Sequence, residues 1–320
     1  MGSTFSADGV SQLVRSLVRS TGLVNPPAAQ LGQRNAVFLG SGTRHDSGQV
    51  AGWLSIKTMI AGSAVWETPE RRFTVDADSY LILNDHHPYR LRFESGAPAT
   101  TFVLFFERGL DEDAHRCRTT SSARLLDGQP ETAASLQFFE RLETRASPLF
   151  GLLRRFRGRL AAGMSLAESD DWFLRLAAQV VREQRGAVQA AGRLPAVHRS
   201  TRMELYRRVL RGRDCLLSQA GDRVKLTDVA RAACLSPFHF HRAFTQAFGE
   251  TPHQALTRYR LSKATAQLAD GERVTDVCLA VGFESLGSFS SLFRRHYGVS
   301  PRGMQQRSRG KSKIEEVAGG

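Results

Sequence analysis

The sequence predicts an α+β protein with two domains: an N-terminal antiparallel β-barrel followed by helices, and a C-terminal all-α domain with two helix-turn-helix units. Short runs of aromatic and β-branched residues recur from Ala36 to Glu107, at a spacing typical of a small antiparallel barrel or sandwich. Helical periodicity replaces this pattern after Asp111. A helix-turn-helix pattern then occurs twice in the last third of the chain.

Length and charge favour two domains with different partners. The chain has 320 residues, enough for two domains with their own cores, and 41% of them are hydrophobic, as in ordinary globular proteins. Its net charge is +13, and residues 201–310 carry +9 of it, with 18 Lys and Arg against 9 Asp and Glu. A basic third beside a nearly neutral remainder predicts that one domain faces a polyanion.

The cysteines and the hydropathy pattern argue against several protein classes. Cys117, Cys215, Cys234 and Cys278 are widely spaced, which is unlike a zinc ribbon, a redox dithiol or a secreted disulfide scaffold. Sparse thiols fit a reducing cytosol, so a cytoplasmic location is expected. No apolar stretch approaches the ~20 residues that span a bilayer, so no membrane partner is expected. Val10–Val18 has helical spacing and predicts a packed helix rather than a secretory signal.

Five strands are predicted for the N-terminal domain, residues 1–115. They are Trp53–Ile60, Arg72–Val75, Ser79–Leu83, Tyr89–Phe93 and Thr100–Phe106. Turn-forming residues separate them, namely Gly62, Asp76, Asn84, Pro88, Gly96 and Pro98. This alternation of strand formers and turn formers predicts a small antiparallel barrel or sandwich.

Three helices are predicted for residues 116–185. They are Thr132–Arg145, Pro148–Gly163 and a third helix capped by Ser169 or Asp170. The third carries an apolar stripe, typical either of a packed core or of a helix that pairs across a dimer. The stripe consists of Trp172, Phe173, Leu176, Ala177, Val180 and Val181. Residues 186–200 are small and predict a linker, and residues 309–320 predict a disordered tail.

The last third of the chain contains an internal repeat. Lys225–Pro252 matches Arg273–Pro301, with Thr-Asp-Val near the start of each copy and Gly and Pro near its end. The offset between the copies grows from 48 to 49 residues because Glu284 is an insertion. Each copy predicts a short helix, a tight turn and a second helix, which is the helix-turn-helix unit. A stacked helical solenoid is the alternative, but two copies are too few for one.

Capping and turn residues justify the helices of each copy. A hydroxyl is expected to cap the first helix, a serine to cap the second, and a glycine to end it. In the first copy, the expected cap of the first helix is Thr227, the turn is Cys234-Leu235, the cap of the second helix is Ser236, and Gly249 ends that helix. In the second copy, the corresponding residues are Thr275, Gly282-Phe283, Ser285 and Gly298. A long helix over Pro252–Gly271 would hold the two units at a fixed separation.

The second helix of each unit is the expected recognition helix, and its apolar residues share one face. The residues left to point outward are Phe238, His239, His241, Arg242 and Thr245 in the first unit, and Leu286, Gly287, Ser290, Ser291 and Arg294 in the second. Arg242 has a forked guanidinium suited to guanine O6 and N7, while Arg294 and Arg295 can reach phosphate. Together with the basic charge, these residues predict a surface that binds double-stranded DNA.

The segment Gly282–Met304, GFESLGSFSSLFRRHYGVSPRGM, resembles the signature of the AraC/XylS family of transcription regulators. The resemblance extends over Arg202–Gln306 and implies a bipartite DNA-binding domain that acts at promoters, usually as an activator, with RNA polymerase as a partner. Carried over residue by residue, it implies base contacts from Phe238, His241 and Arg242, and from Leu286, Gly287, Ser290 and Ser291.

The N-terminal strands resemble the cupin-like effector and dimerisation domain common in that family. This resemblance implies a homodimer and a small-molecule effector. Side chains that could line an effector pocket are Trp53, Trp66, Tyr80, Asn84, His86 and Tyr89; the alternative places the aromatic residues in the barrel core and Asn84–Pro88 in a simple turn. Cupin enzymes use a His-x-His pair, which Gly62–Phe73 lacks, so neither a metal nor another cofactor is expected.

These observations predict a sequence-specific transcription regulator rather than an enzyme. The main alternative is a cupin-type enzyme, or an alkyl-transfer repair protein, fused to the same DNA-binding module. A repair protein would need clustered cysteines, and Cys117 has no other thiol near it in the sequence. A third possibility is an architectural DNA binder without a ligand, which would show a specificity ratio near one over random DNA.

Overall fold

The computed structural model describes residues 23–27, 30–110 and 137–306, and the chain divides after Gln189 into two compact units. The predictions for Val10–Val18, for Cys117 and for the tail at 309–320 lie outside the described residues. No described helix combines the length and the apolar character that crossing a bilayer requires.

The N-terminal unit contains an antiparallel sheet that curls into a nearly closed barrel, which confirms the predicted architecture. Its strands are β1 (Ala36–Asp46), β2 (Val50–Ala51), β3 (Ser55–Ala61), β4 (Ser63–Glu67), β5 (Arg72–Asp76), β6 (Ser79–Leu83), β7 (Pro88–Phe105) and β8 (Leu142–Thr144). The strand order is β5-β4-β7-β3-β6-β8, and β1 and β2 also pair with β7. The long strand β7 therefore joins most of the barrel.

Strand β7 is a single strand where the sequence predicted two. Tyr89–Phe93 and Thr100–Phe106 are joined through the exposed residues 94–98, which include Gly96 and Pro98. The register between β1 and β7 shifts beside this segment. The segment is a bulge at which β7 bends, and glycine and proline are tolerated there because the ladder of hydrogen bonds is interrupted.

Helices α1 (Pro148–Ala161) and α2 (Leu166–Gly192) pack on one face of the sheet. The ring centroid of Phe173 in α2 lies 5.6 Å from that of Phe106 in the barrel and 5.5 Å from that of Phe156 in α1. The stripe residues Phe173, Leu176, Ala177, Val180 and Val181 are buried in this cluster, and Trp172 packs against it. Of the two alternatives for the stripe, the packed core is therefore confirmed.

One predicted helix and two predicted boundaries were wrong. The described part of the predicted helix Thr132–Arg145 is not helical, because Leu142–Thr144 forms β8 and satisfies the free edge of β6. Helix α2 begins before Ser169, whose hydroxyl lies inside the helix and donates to the carbonyl of Leu166 at 2.6 Å. The predicted linker at 186–200 is helical as far as Gly192, because its alanines are good helix formers.

The C-terminal unit is all-α, as predicted. Its helices are α3 (Arg199–Ser218), α4 (Leu226–Ala232), α5 (Pro237–Phe248), α6 (Pro252–Ala269), α7 (Val274–Ala280) and α8 (Leu286–Tyr297), followed by a short helical segment at 301–306. Helices α4 and α5 form the first helix-turn-helix unit, and α7 and α8 form the second. Helix α6 connects them, as expected for Pro252–Gly271.

Candidate nucleic-acid interface

The two helix-turn-helix units repeat the same aromatic core. In both recognition helices, the first and second ring centroids lie 5.6 Å apart. The second and third lie 4.7 Å apart in α5 and 4.8 Å apart in α8. The rings in these series are Phe240, Phe244 and Phe248 in α5, and Phe289, Phe293 and Tyr297 in α8. The repeat in the sequence is thus also a repeat in packing.

The turn between the helices has the same geometry in both units. Cys234 and Gly282 occupy its left-handed position, with φ of 52° and 89°. In both units the next amide donates, over 3.0 Å, to the carbonyl five residues before it. This combination ends the first helix and redirects the chain into the second helix.

The predicted limits of the recognition helices are confirmed. The hydroxyl oxygens of Ser236 and Ser285 accept hydrogen bonds from the amides three residues later, at 3.3 and 3.4 Å. Gly249 and Gly298 end the helices, both with φ of 73°. Serine caps and left-handed glycines therefore define both ends of α5 and α8.

The predicted caps of the first helices were wrong. Helices α4 and α7 begin one residue before Thr227 and Thr275, so both hydroxyls lie inside the first turn. The cap positions hold Lys225 and Arg273, whose side chains make no capping hydrogen bond. Hydrophobic packing of these short helices, with Val229 fully buried, decides where they begin.

The outward face of α5 is open to solvent. Phe238 is 71% exposed, and His239, His241 and Arg242 are also exposed. Thr245 is half-buried, and its hydroxyl donates to the carbonyl of His241 at 2.9 Å. An aromatic side chain, two imidazoles and a guanidinium are therefore exposed on this face, whereas the Thr245 hydroxyl proton is engaged within the helix.

The outward face of α8 has a different chemistry. Leu286, Gly287 and Ser291 are exposed, together with Arg294 and Arg295 near the end of the helix, while Ser290 is half-buried. A surface depression of about 690 Å³ is lined by Ser290, Ser291, Arg294, Arg295, Gly298 and Ser300. Small hydroxyls flanked by two guanidinium groups are suited to phosphate oxygens rather than to bidentate reading of a base.

Arg260 of α6 links the second turn to the segment after α3, and sequence reasoning missed it. Its guanidinium donates to the carbonyls of Ala220 and Asp222, both at 2.7 Å, in the segment after α3. It also lies 5.8 Å from the ring centre of Phe283, in the second turn. Its partners are mostly backbone carbonyls, which no sequence pattern reveals. Arg260 therefore helps to hold the second turn against the segment between α3 and α4.

Gly212 of α3 is a second position that sequence reasoning missed. A Cβ at Gly212 would lie 2.3 Å from the ring of Phe240, the buried anchor of α5. Helix α3 can approach the first recognition helix this closely because Gly212 has no side chain. The only signal in the sequence is a glycine within a helical pattern, and it lies outside the repeat.

Comparison with known proteins supports the same domain. A family described as a helix-turn-helix domain matches residues 229–307. The HTH-type transcriptional activator RhaS of Escherichia coli (strain SE11) is 41% identical over 86 residues, which are 27% of this chain and 31% of RhaS. Residues 229–307 are therefore similar to the AraC/XylS type of helix-turn-helix domain. The probable transcriptional regulator LumQ of Photobacterium leiognathi is 35% identical over 80 residues, which are 25% of this chain and 32% of LumQ.

Two solved structures are also similar to parts of this chain. An AraC-type regulator from Chromobacterium violaceum is 24% identical, with a TM-score of 0.30, and the match covers 32% of this chain and 91% of that one. An apo ToxT variant from Vibrio cholerae is 12% identical, with a TM-score of 0.36, and the match covers 85% and 96%. The matches to RhaS and LumQ span about a third of each relative's length.

Outside the AraC/XylS-type domain, the structure separates the six candidate pocket residues. Trp66 is fully buried on β4, directly opposite Phe73 of β5. Tyr80 is also fully buried, but it belongs to the cluster that faces α1 and α2. Its hydroxyl donates to Glu183 at 2.5 Å, and burial is the main reason that its pKa lies well above the ordinary value. Tyr80 therefore helps to hold the helices against the barrel.

The other four candidates lie near the turn between β6 and β7. Asn84 exchanges hydrogen bonds with the backbone of Phe138 at 2.8 and 2.9 Å, which anchors the segment before β8. His86 is exposed at a left-handed position, and its ring meets that of Trp53, centroids 5.6 Å apart. Tyr89 is half-buried at the start of β7. Among the described residues, no group of three or more His, Cys, Asp or Glu is arranged to hold a metal ion.

Proposed function

We propose that this protein is a sequence-specific transcription regulator that binds promoter DNA through its AraC/XylS-type domain and activates transcription. The observation that carries the proposal is the pair of exposed recognition helices, built on the same core, turn and caps. They lie in a region, residues 201–310, with a net charge of +9. The relatives RhaS and LumQ are named as a transcriptional activator and a probable transcriptional regulator, which supports the same role.

The proposal assigns different tasks to the two helices. Helix α5 reads bases through Phe238, His241 and Arg242, with His239 and Thr245 beside them. Helix α8 holds the backbone through Arg294 and Arg295, and its small residues approach the groove closely. The close-approach positions are Leu286, Gly287, Ser290 and Ser291. An arginine fork on one helix and clustered guanidinium groups at the end of the other support this division.

The remaining parts of the proposal concern the N-terminal unit and the partners. Residues 1–115 bind a small-molecule effector, residues 1–185 carry homodimerisation, and residues 201–308 bind DNA. RNA polymerase is the partner in activation, and the site of action is the cytoplasm. No catalytic step is proposed. The barrel has its own core, distinct from the core of the basic domain. This separation supports the assignment of the effector response to the N-terminal unit and of DNA binding to the C-terminal unit.

DNA binding is expected to be strongly salt-dependent. The full chain and the unit 190–320 should both bind duplex DNA, with a slope of log K against log salt of about −0.9 per neutralised phosphate, because each contact releases a condensed counterion. Fluorescence anisotropy with a labelled duplex at several KCl concentrations measures the slope. A scrambled duplex is the control for specificity. A slope near zero would show that the basic surface does not face DNA.

The N-terminal unit is expected to carry self-association. Its strands and helices form a body with its own core, whereas the C-terminal unit is basic and repels its copies. The full chain should sediment as a dimer and the unit 190–320 as a monomer in analytical ultracentrifugation at 0.15 M salt. A monomeric full chain, or a dimeric C-terminal unit, would contradict the assignment. Measurement at several protein concentrations separates a true dimer from weak association.

A further inference from the structure

The barrel contains a buried lysine that has no acceptor for its N–H groups. Lys57 lies on β3 and is fully buried, and among the described residues Nζ makes no hydrogen bond. No other described lysine or arginine is buried. An ammonium group has three donors, and leaving them unsatisfied in an apolar interior costs free energy. The burial of the Lys57 amine therefore calls for an explanation.

Lys57 points into the barrel, away from α1 and α2. It pairs with Leu81 and Val103, whereas the next residue, Thr58, pairs with Tyr80 and Phe102 of the helix-facing cluster. Because successive residues of a strand point to opposite faces, Lys57 lies on the interior face. Its amine is therefore enclosed by the barrel, and the interface with the helices does not explain it.

Aromatic rings surround the amine. Nζ lies 4.0 Å from the ring centre of Tyr89 and 4.4 Å from that of Phe105. Ring faces attract a cation but do not replace the oxygen acceptors that an ammonium group prefers. Burial lowers the pKa of the Lys57 amine well below its usual range, so without a counter-charge the charged form is disfavoured. Tyr89 itself is half-buried.

A second orphaned donor lies on the same interior face. Trp66 is fully buried on β4, and its Nε1–H has no hydrogen-bond partner among the described residues. Trp66 stands opposite Leu91 of β7. Tyr89 lies two residues before Leu91, so it shares the face of Leu91 and of Trp66. The barrel thus presents an amine and an indole N–H, both without an acceptor, on a face lined by aromatic rings.

We propose that the barrel interior binds a small organic monoanion, with a carboxylate that accepts a hydrogen bond from Lys57 Nζ and with Trp66 Nε1 as the second donor. The proposal rests on the proposed effector function of the N-terminal unit and names its ligand class. When an anion binds and the amine is protonated, this single amine balances one negative charge, which fits a carboxylate better than a phosphate dianion. The rings of Tyr89, Phe105 and Phe73 fit an apolar body behind the carboxylate. Such a ligand would satisfy both orphaned donors.

The test compares two acids with their neutral amides on the full chain. Phenylacetate and hexanoate are titrated against phenylacetamide and hexanamide, with isothermal calorimetry and thermal unfolding as readouts. At least one acid should bind about tenfold more tightly than its amide, since hydrogen bonds to a charged group are the stronger ones. If neither acid binds more tightly than its amide, the proposal is wrong.

Substitution of Lys57 tests ligand binding and, separately, the loss of stability caused by the buried amine. Lys57→Met should abolish the preference for the acid and, without ligand, should raise the unfolding temperature, because it removes a buried unpaired amine. Lys263→Met is the matched control, since Lys263 also lies near a tyrosine ring, 5.7 Å from the ring centre of Tyr259, but in the C-terminal unit. It should keep the preference for the acid. A less stable Lys57→Met would overturn the proposal, because another part of the chain would then already pair with the amine.

Two further measurements complete the test. Trp66→Phe should weaken binding of the acid while keeping the preference for the acid over the amide, because the ring remains and only the neutral donor is lost. Duplex binding by the Lys57→Met protein without ligand should equal that of the wild type. If no variant binds duplex DNA specifically, the proposed function fails while the calorimetric result for the acids still stands.

Discussion

Replacing Gly282 with alanine is expected to destabilise the AraC/XylS-type domain more than any equivalent change at its other helix ends. Gly282 has φ of 89°, and a left-handed backbone costs a residue with a Cβ about 1–2 kcal/mol. The Cβ would also lie 2.5 Å from the carbonyl oxygen of Ala220, a backbone atom that Arg260 holds. The clash adds about 1–3 kcal/mol, as in other overpacked sites.

Gly298→Ala is the matched control for this prediction. Gly298 is also left-handed, with φ of 73°, but a Cβ there would meet nothing within 4 Å. It should therefore lose only the conformational part, about 1–2 kcal/mol. The measurement is the free energy of unfolding of the unit 190–320 in urea, monitored by circular dichroism. Equal losses in the two variants would show that the segment after α3 gives way to the new methyl group.

The first unit offers an internal check on the same turn. Cys234 occupies the position equivalent to Gly282 and is already left-handed with a Cβ, at φ of 52°. Cys234→Gly removes that strain but makes the unfolded chain more flexible, so its net effect should stay within about 1 kcal/mol. The two turns should differ in their tolerance of a Cβ because their surroundings differ. The second turn packs against the backbone after α3, whereas Cys234 in the first turn is exposed.

Arg242→Ala is expected to relax base preference in one half of the binding site. The exposed guanidinium of Arg242 can donate two parallel hydrogen bonds to guanine, a contact worth about 1–3 kcal/mol of discrimination. Ser291→Ala, at the equivalent position of α8, should change base preference little. Arg294→Ala should weaken binding to all sequences alike and reduce the salt slope by about 1. The measurement is binding-site selection for each variant at one fixed salt concentration.

Arg231→Ala is the control for the loss of one positive charge outside the recognition helix. Arg231 is exposed on α4 and pairs with Asp228 at 3.0 Å, so it lies off the recognition helix but in the same unit. Its replacement should leave the selected sequences unchanged. If base preference is unaltered in Arg242→Ala, or if Ser291→Ala loses more specificity than Arg242→Ala, the reading face is assigned to the wrong helix.

Much of the C-terminal domain was predictable because its signals are local. Ser236, Ser285, Gly249 and Gly298 act on their own helix ends, so their roles can be inferred without knowing the fold. The aromatic residues recur at helical spacing and therefore share a face in any helix that contains them. The exceptions, Thr227 and Thr275, are positions where burial of a short helix outweighed a good capping residue.

The N-terminal unit was less predictable because its contacts are distant in sequence. Leu142–Thr144 has a helical pattern, yet it completes the edge of a strand some sixty residues earlier. The pocket candidates were chosen by residue type, and only the barrel shows that Tyr80 and Trp66 lie on different faces. Lys57 was not a candidate, because a lysine in a strand pattern is ordinarily exposed.

By itself, the sequence determined the fold class, the repeat, the recognition helices and the family of the DNA-binding domain, since periodicity, caps and turn residues act within a few positions. Only the tertiary structure decided which face of the barrel each strand residue occupies, where Gly212 and Gly282 let backbones approach, and how Arg260 links the second turn to the segment after α3. Those features depend on partners that lie tens of residues away. Side-chain burial and backbone contact arise only when the distant segments meet.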